Sequence, residues 1–179
     1  MANEVIQGQL IKAAIAGDRK ALTKLIDSCK DISYNIALSI VRNSEDAKDV
    51  VQESLMKVIM NLDTFRAEAA FSTWLYRIVY NQCLRHIEKA KKQSRVDVEE
   101  YKSLFYRQDD SKLTDTRFAS VLEQIDKLPD KDKHIVILFY LGEKSIKDIH
   151  EITDMSISNI KVSLHRIRKK LSENVKVRL

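Results

Sequence analysis

Glycine and proline are scarce in this chain, and their scarcity limits the folds that it can adopt. Among 179 residues there are 3 Gly and 1 Pro. Because tight hairpin turns and phosphate-binding loops use these residues repeatedly, a β-sandwich and a glycine-loop nucleotide enzyme are poorly supported. Hydrophobic residues make up 44% of the chain and charged residues 32%, so it has enough apolar surface to fold. We expect an all-α protein.

Apolar residues recur at helical spacing through residues 1–92 and predict a helical bundle there. Asp18 is a suitable N-cap for the second helix, and Ser44 is a suitable N-cap for a later one. That later helix has the apolar row Val50, Val51, Leu55, Val58, Ile59 and Leu62. After a polar loop at 64–70, the inner side of the last helix carries Phe71, Trp74, Leu75, Ile78, Val79, Cys83 and Ile87.

The distribution of charge divides the chain into three segments. The formal net charge is +5, which is compatible with a polyanionic partner. Residues 93–115 have a net charge of −2, whereas the segments before and after them have net charges of +3 and +4. This middle segment has acidic clusters and no sustained 3.6-residue period, as is typical of a linker. We therefore expect two small helical domains, 1–92 and 116–179, joined by a flexible linker.

The second domain shows the pattern of a helix-turn-helix. Pro129 is well placed near a helix start, and a turn at 153–155 separates a short helix from a longer, basic one. The second helix of such a motif can lie in a DNA major groove. The predicted helical segments are roughly 116–127, 131–141, 145–152 and 156–171.

The last helix divides into an inward and an outward face. We expect Ile157, Ile160, Leu164, Ile167 and Leu171 to pack inward. Short polar side chains near its start can reach base edges, and later cations can meet phosphates; a solvated charged helix is the alternative. The candidate DNA contacts are Ser156, Ser158, Asn159, Lys161, Val162, His165, Arg166 and Lys169.

A second candidate nucleic-acid surface lies in residues 64–92, where aromatic and basic residues alternate. Aromatic rings stack on unpaired bases while cations follow the backbone. Phe71 and Trp74 lie on the apolar face and are better explained as core residues, so Tyr76 and Tyr80 are the expected exposed aromatics. The candidate contacts are Arg66, Thr73, Tyr76, Arg77, Tyr80, Asn81 and Arg85.

Catalytic and metal-dependent functions find little support. The histidines His86, His134, His150 and His165 are dispersed, and no residue cluster has the spacing of a metal or nucleophile site. We expect no enzyme, no cofactor and no metal. Two cysteines that form no CxxC pair suit a reducing compartment, and no signal peptide or membrane-length apolar run is evident, so we expect a cytoplasmic protein without membrane insertion.

Several segments, in this order, resemble the bacterial sigma factors of RNA polymerase, specifically the small extracytoplasmic-function (ECF) type of the sigma-70 family. The matching strings in the first domain are AGDRKAL (16–22), NSEDAKDVVQESLMKV (43–58) and FSTWLYRIVYNQCL (71–84). In the second domain they are LP at 128–129 and the run from 145 to 171, which ends in LHRIRKKL. The resemblance implies a transcription initiation factor with sigma regions 2 and 4.

The resemblance also assigns roles to the candidate surfaces. The helix at 43–63 carries five acidic residues and two lysines. It resembles region 2.2, which docks on the clamp helices of the largest polymerase subunit. The loop and helix that follow resemble regions 2.3 and 2.4, which recognise the minus-ten element and hold a flipped base. The helix-turn-helix resembles region 4.2, which reads the minus-thirty-five element. The residues thereby implied in polymerase binding are Asp46, Asp49, Val50, Gln52, Glu53 and Met56.

The family resemblance implies further partners, namely the polymerase beta flap and an anti-sigma protein. Departures from the family pattern at His150, Asp154, Asn159 and Val162 indicate that the promoter sequence is particular to this chain. On the residues alone, two other classes stay open. One is a stand-alone helix-turn-helix regulator, and the other is a helical adaptor with a solvated basic tail.

Overall fold

The computed structural model describes residues 2–93, residue 125 and residues 127–176. The predicted linker and most of the helix expected near 116–127 lie outside these described residues. Within them, all regular structure is helical, as predicted from the scarcity of glycine and proline. The α-helices are α1 (Ala2–Ile15), α2 (Arg19–Asp27), α3 (Lys30–Val41), α4 (Ser44–Met60), α5 (Phe71–Gln93), α6 (Asp130–Val136), α7 (Ile146–Thr153) and α8 (Ile157–Lys176). We call α1–α5 the N-terminal bundle and α6–α8 the C-terminal bundle.

Side-chain caps fix the starts of the helices in the N-terminal bundle. The Asp18 carboxylate accepts hydrogen bonds from the backbone N–H groups of Lys20 (2.8 Å) and Ala21 (3.2 Å), so this predicted N-cap is confirmed. The prediction of Ser44 as the cap of α4 is wrong by one residue. Asn43 has the extended backbone of an N-cap, and its side chain accepts from the first turn of α4.

The C-terminal bundle contains the two helices and the turn that the sequence predicts. Ser145 and Asp148 form a reciprocal capping box at the start of α7. Asp154 ends α7 in the left-handed conformation, with φ 57°, which aspartate tolerates better than most residues. Helix α6 continues as a π-helical turn, Ile137–Leu141. After α7 ends, the chain reverses direction within 154–156 and enters α8.

The two bundles share one hydrophobic core. Fully buried side chains of the N-terminal bundle include Leu25, Ile36 and Phe71, and they belong to the same contiguous cluster as Ile149 and Ile160 of the C-terminal bundle. Burying an aliphatic or aromatic side chain of this size contributes about 1.5–3 kcal/mol. Helix α5 packs against α7, and α3 packs against α6. The two predicted domains therefore contact each other face to face.

Two apolar residues predicted to be inward are exposed. Ile59 near the end of α4 is 49% exposed, and Ile157 is 42% exposed. Ile157 opens α8, whose first turn projects into solvent together with Ser156, Ser158 and Asn159. The inward stripe of α8 is confirmed for Ile160, Leu164 and Ile167, whereas the side chain of Leu171 lies outside the described part of the structure. No helix among the described residues is long and apolar enough to cross a membrane.

Candidate nucleic-acid and protein interfaces

Helix α8 presents its candidate contacts to solvent. All eight predicted residues of this surface are exposed, and Val162 is 64% exposed in the middle of the face. The Ser156 hydroxyl accepts a hydrogen bond from the Asn159 N–H at 3.2 Å and so caps the start of α8. The helix N-terminus therefore offers short polar side chains at its tip, where a recognition helix contacts base edges.

The guanidinium of Arg166, on this face, is already paired within the protein. It donates hydrogen bonds to both carboxylate oxygens of Asp132 in α6, at 2.9 and 2.6 Å. The Asp132 side chain is 2% exposed, whereas that of Arg166 is 52% exposed. The pair ties α8 to α6 and satisfies a buried charge. The sequence predicted a free cation for phosphate contact, and the structure instead gives Arg166 a structural partner.

The candidate surface on α5 is largely covered. Arg66, Arg77 and Arg85 are exposed, and Asn81 is half-buried. The prediction that Tyr76 and Tyr80 are exposed is wrong, because they are 3% and 8% exposed and the candidate Thr73 is 2% exposed. These three residues fall on one side of α5, and the C-terminal bundle packs against that side.

Polar and aromatic contacts join α5 to the C-terminal bundle. The Thr73 hydroxyl donates to Asp148 at 3.2 Å, and the Lys144 ammonium donates to Ser72 at 2.5 Å. Lys144 also lies over the Tyr76 ring, 5.4 Å from its centroid. Burial raises the pKa of the Tyr76 phenol well above its ordinary value. The Tyr76 hydroxyl is therefore protonated at every physiological pH.

Further along α5, two more contacts close the same interface. The Arg77 guanidinium lies 3.5 Å from the Asp154 carboxylate. The Tyr80 ring meets the His134 ring edge to face at 5.7 Å. His134 is buried, and among the described residues neither of its ring nitrogens makes a hydrogen bond of normal distance and angle. Burial lowers the pKa of His134 to about 4, although the Ser39 backbone opposes this shift and Arg42 and Lys133 add to it.

A cavity of about 330 Å³ opens between the 64–69 loop and the start of α5. Trp74 forms part of its wall and packs against Phe65, with ring centroids 5.2 Å apart. Arg66 and Arg77 line the cavity, and Glu151 of α7 lines it from the other bundle. An aromatic wall beside two cations suits an unpaired base and its phosphates.

A second cleft of about 290 Å³ lies between α4 and α5. The Gln82 carboxamide oxygen accepts hydrogen bonds from Lys57 at 2.6 Å and from Arg85 at 3.1 Å. The cleft brings Lys57 and Asn61 beside the predicted residues Asn81 and Arg85. Sequence reasoning missed Lys57 and Asn61 because they lie in a different helix and no spacing links them to α5.

Helix α4 exposes most of its predicted polymerase-binding residues. Asp49, Gln52, Glu53 and Met56 are exposed, and Asp46 is half-buried with a carboxylate oxygen 3.5 Å from the His86 ring. Val50 is 2% exposed, so its prediction as a contact residue is wrong because its side chain belongs to the core of the bundle. Met56, Ile59 and Met60 add an apolar component to the same exposed side.

The described residues contain no group of three or more His, Cys, Asp or Glu side chains that could hold a metal ion. Cys29 and Cys83 are buried free thiols. Burial raises the pKa of Cys83 to about 12, which suppresses the reactive thiolate.

Both bundles contain segments that match models of known protein families. The Sigma-70 region 2 family model matches residues 25–93, and the Sigma-70 region 4 model matches residues 118–171. The chain is 32% identical over 149 residues to the RNA polymerase sigma factor SigV of Bacillus subtilis, covering 83% of the chain and 87% of SigV. It is 29% identical over 184 residues to the ECF RNA polymerase sigma factor SigW of the same species, covering 97% of the chain and 98% of SigW.

A solved structure shares the fold. It is the sigma factor RpoE in complex with the anti-sigma factor NepR from Bartonella quintana, with a TM-score of 0.66 and 21% sequence identity. The match covers 88% of this chain and 98% of that one.

Proposed function

The chain belongs to the ECF group of the sigma-70 family, and from that membership we propose how its surfaces divide the work of an alternative sigma factor. Such a factor binds core RNA polymerase, directs it to specific promoters and promotes DNA opening. We assign polymerase binding and minus-ten recognition to residues 1–92 and minus-thirty-five recognition to residues 116–179. Residues 93–115 connect them, and we assign this acidic segment a path through the polymerase rather than along DNA.

The observation that carries this proposal is the presence of two separate polar, basic surfaces on a chain that matches both sigma regions. One is the exposed face of α8, where Ser158 and Asn159 stand at the tip of a capped helix. This geometry suits base edges in a duplex major groove. Lys161 and His165 follow on the same face and suit the phosphates beside it.

The other surface suits unpaired DNA. The 64–69 loop, Trp74 and Arg77 line a cavity that combines an aromatic wall with two arginine side chains, which matches the requirements of a flipped base. We assign the non-template strand of the minus-ten element to this cavity and to the cleft of Asn81 and Arg85. Thr73, Tyr76 and Tyr80 join the surface when their side of α5 is uncovered. Opening is driven by binding energy, and the protein performs no covalent chemistry.

The exposed side of α4 is the proposed polymerase-binding surface. Its carboxylates would be repelled by DNA, whereas a basic or mixed protein surface complements them. Asp49, Glu53 and Met56 combine charge with apolar area, as protein interfaces do. We assign the clamp helices of the largest polymerase subunit to this surface and the beta flap to the C-terminal bundle. An anti-sigma protein is a further proposed partner, supported by the fold shared with RpoE in its complex with NepR.

Co-purification of the tagged full chain with bacterial core RNA polymerase tests the proposal. The complex should then give promoter-selective run-off transcripts from a genomic fragment library. Asp49→Lys should weaken polymerase binding about tenfold or more, because it reverses an exposed charge at the centre of the surface. Asp27→Lys, which makes the same charge change on α2, is the matched control. Specific duplex binding by the free chain without any polymerase complex would instead identify a stand-alone regulator.

A further inference from the structure

Val162 is an apolar residue in the middle of the exposed face of α8. It is 64% exposed, and the residues one turn before and after it on the same face, Ser158 and Arg166, are polar or charged. The buried stripe of α8, which includes Ile160 and Leu164, lies on the opposite side of the helix. The valine side chain therefore points away from the core.

The stability of α8 does not explain a valine at this position. Valine is β-branched and has a lower helix propensity than alanine, lysine or glutamate. The other candidate contacts on this face, from Ser156 to Lys169, are polar or charged, as expected where a helix meets water. An exposed apolar residue is ordinary elsewhere on a protein surface, but Val162 stands at the centre of a proposed recognition face. A contact outside the chain would bury its methyl groups.

The charge of α8 identifies the class of partner. Residues 156–171 contain no acidic residue and include five Lys or Arg residues. Such a helix attracts a polyanion, and a basic protein surface would be repelled by it. Val162 is thus an apolar contact within a cationic face, so its partner must offer an apolar group among negative charges.

The major groove of DNA offers such a group. The C5-methyl of thymine is exposed there, whereas the other edges that distinguish the base pairs are hydrogen-bond donors and acceptors. The minor groove presents no methyl group. Valine suits this contact because a β-branched side chain in a helix is held in nearly one rotamer, so little conformational entropy is lost on binding.

We propose that Val162 reads the C5-methyl group of a thymine in the minus-thirty-five element and thereby determines one base of the promoter sequence that this chain selects. The inference rests on the proposed function, since it adds a specificity to the assigned minus-thirty-five surface. Asn159 lies nearly one turn earlier on the same exposed face, and the side chain of asparagine pairs with the edge of adenine. The upstream element should therefore combine a T·A pair read through its methyl group with a neighbouring base pair read through hydrogen bonds.

The test uses holoenzyme assembled from core polymerase and the full chain, with promoter fragments taken from its run-off transcripts. Each thymine of the upstream element, on either strand, is replaced in turn by deoxyuridine, which lacks only the C5-methyl group. We expect replacement at one position to weaken binding about fourfold, the factor for removal of one buried methyl group. Replacement of the other thymines should leave binding nearly unchanged.

Truncation of the valine should abolish this dependence on the methyl group. Val162→Ala holoenzyme should bind the thymine fragment about fourfold less tightly than the parent and should bind the deoxyuridine fragment equally well. Val162→Ile keeps a β-branched apolar side chain and should keep the parent's preference. Ile15→Ala truncates an exposed apolar residue of α1 and is the matched control, which should also keep that preference.

5-Methylcytosine separates the methyl group from the rest of thymine. A C·G pair in place of the T·A pair at the contacted position should weaken binding by the parent holoenzyme. Methylation of that cytosine at C5 should then recover about fourfold in affinity, because the methyl group returns to the same place in the major groove. The Val162→Ala holoenzyme should show no such recovery.

A selected upstream element without thymine, or one in which no deoxyuridine replacement weakens binding, would overturn the proposal. The same holds for a Val162→Ala holoenzyme that keeps the parent's dependence on the methyl group, because another residue would then make the contact. In each of these cases promoter-selective transcription continues and the proposed function stands. A parent chain that supports no promoter-selective transcription would instead contradict the proposed function, and the reading of thymine with it.

Discussion

The two helices proposed to read DNA, α5 and α8, have opposite accessibilities. On α8 an inward stripe of Ile160, Leu164 and Ile167 holds the helix in place, and the eight candidate DNA contacts are all exposed. On α5 one stripe, which includes Phe71 and Leu75, faces its own bundle, and a second stripe of tyrosines faces the other bundle. A helix such as α8, with one buried stripe, can contact DNA as it stands. A helix such as α5, with two buried stripes, can expose its tyrosines to DNA only after the other bundle has moved away.

The difference shows why amphipathic tyrosines are hard to assign. A tyrosine has an apolar ring and a polar tip, so it suits a solvent-facing base platform and a buried interface equally well. Tyr76 and Tyr80 are compatible with both states, which a leucine at either position would not be. The same residues can therefore belong to the core while the two bundles are packed together and form a DNA surface when the bundles are apart.

Truncation of one residue on each helix tests whether α5 and α8 differ in accessibility. Tyr76→Ala removes a buried ring and should lower the free energy of unfolding by about 3 kcal/mol, as for other buried aromatics. Val162→Ala on the exposed face of α8 should change it by less than about 0.5 kcal/mol. Urea unfolding followed by circular dichroism measures both. Equal, small effects would mean that the tyrosine side of α5 is open in solution.

Arg166 is a candidate DNA contact on α8 whose side chain is already bound to Asp132 of α6. Arg166→Ala leaves the Asp132 carboxylate buried and unpaired, which should cost about 2 kcal/mol of stability after allowance for the exposed guanidinium. Thermal unfolding should show the loss in the absence of DNA. Lys161→Ala, on the same helix and without this partner, is the control and should leave the melting temperature nearly unchanged. If both variants melt alike, the Arg166–Asp132 pair does not stabilise the protein in solution.

Tyr76 and Arg166 show which features of the structure the sequence predicts and which it does not. The all-α class, the cap at Asp18, the start of α5 at Phe71 and the inward stripe of α8 follow from periodicity and local hydrogen bonding, which act within a few residues. The burial of Tyr80 and the engagement of Arg166 depend on helices 34 or more positions away, α6 among them. Contacts at such separations leave no periodic signal in the chain.

The residues of the candidate site also differ in whether local sequence or long-range packing determines their exposure. The exposed α8 residues and Asp49 were predictable because they need only the absence of a neighbour. Val50 was misassigned because a family motif does not distinguish residues that make a contact from residues that hold the helix in place. Lys57 and Asn61 were missed because only the packing of α4 on α5 brings them to Asn81.

The pH dependence of the packed bundles offers a third test. His134 is in contact with Tyr80, and burial, with smaller contributions from the charges of Arg42 and Lys133, lowers its pKa from 6.5 to about 4. Because the buried form resists protonation, its contribution to stability is present above pH 6.5 and is lost as the pH falls toward 4. Between pH 7.5 and pH 5 the packing of the two bundles against each other should lose about 2 kcal/mol of stability.

Energy transfer between dyes on Lys20→Cys in α2 and Lys170→Cys in α8 measures this loss, since the native cysteines are buried, and His134→Gln is the matched variant. Its transfer should vary much less between pH 7.5 and pH 5, since glutamine does not titrate. Asp148 does not confound the result, because burial tends to raise its pKa but hydrogen bonds from Ser145 and Thr73 outweigh that effect and keep the pKa below its ordinary value. A parent chain whose transfer is flat over this range would show that His134 is accessible to water in solution.

The smallest expected effect concerns Asn159, where binding and stability should separate completely. Its side chain is exposed at the tip of α8, and its backbone N–H donates to the Ser156 hydroxyl. Asn159→Ala should therefore leave the free energy of unfolding within about 0.5 kcal/mol of the parent. Loss of a base-edge contact should weaken binding to upstream promoter duplex by about 1 kcal/mol, or about fivefold, and relax the preference at one base pair. Fluorescence anisotropy with duplexes taken from the selected run-off promoters measures the change, and a uniform loss across all duplexes, scrambled ones included, would show that α8 contacts only the DNA backbone at this position.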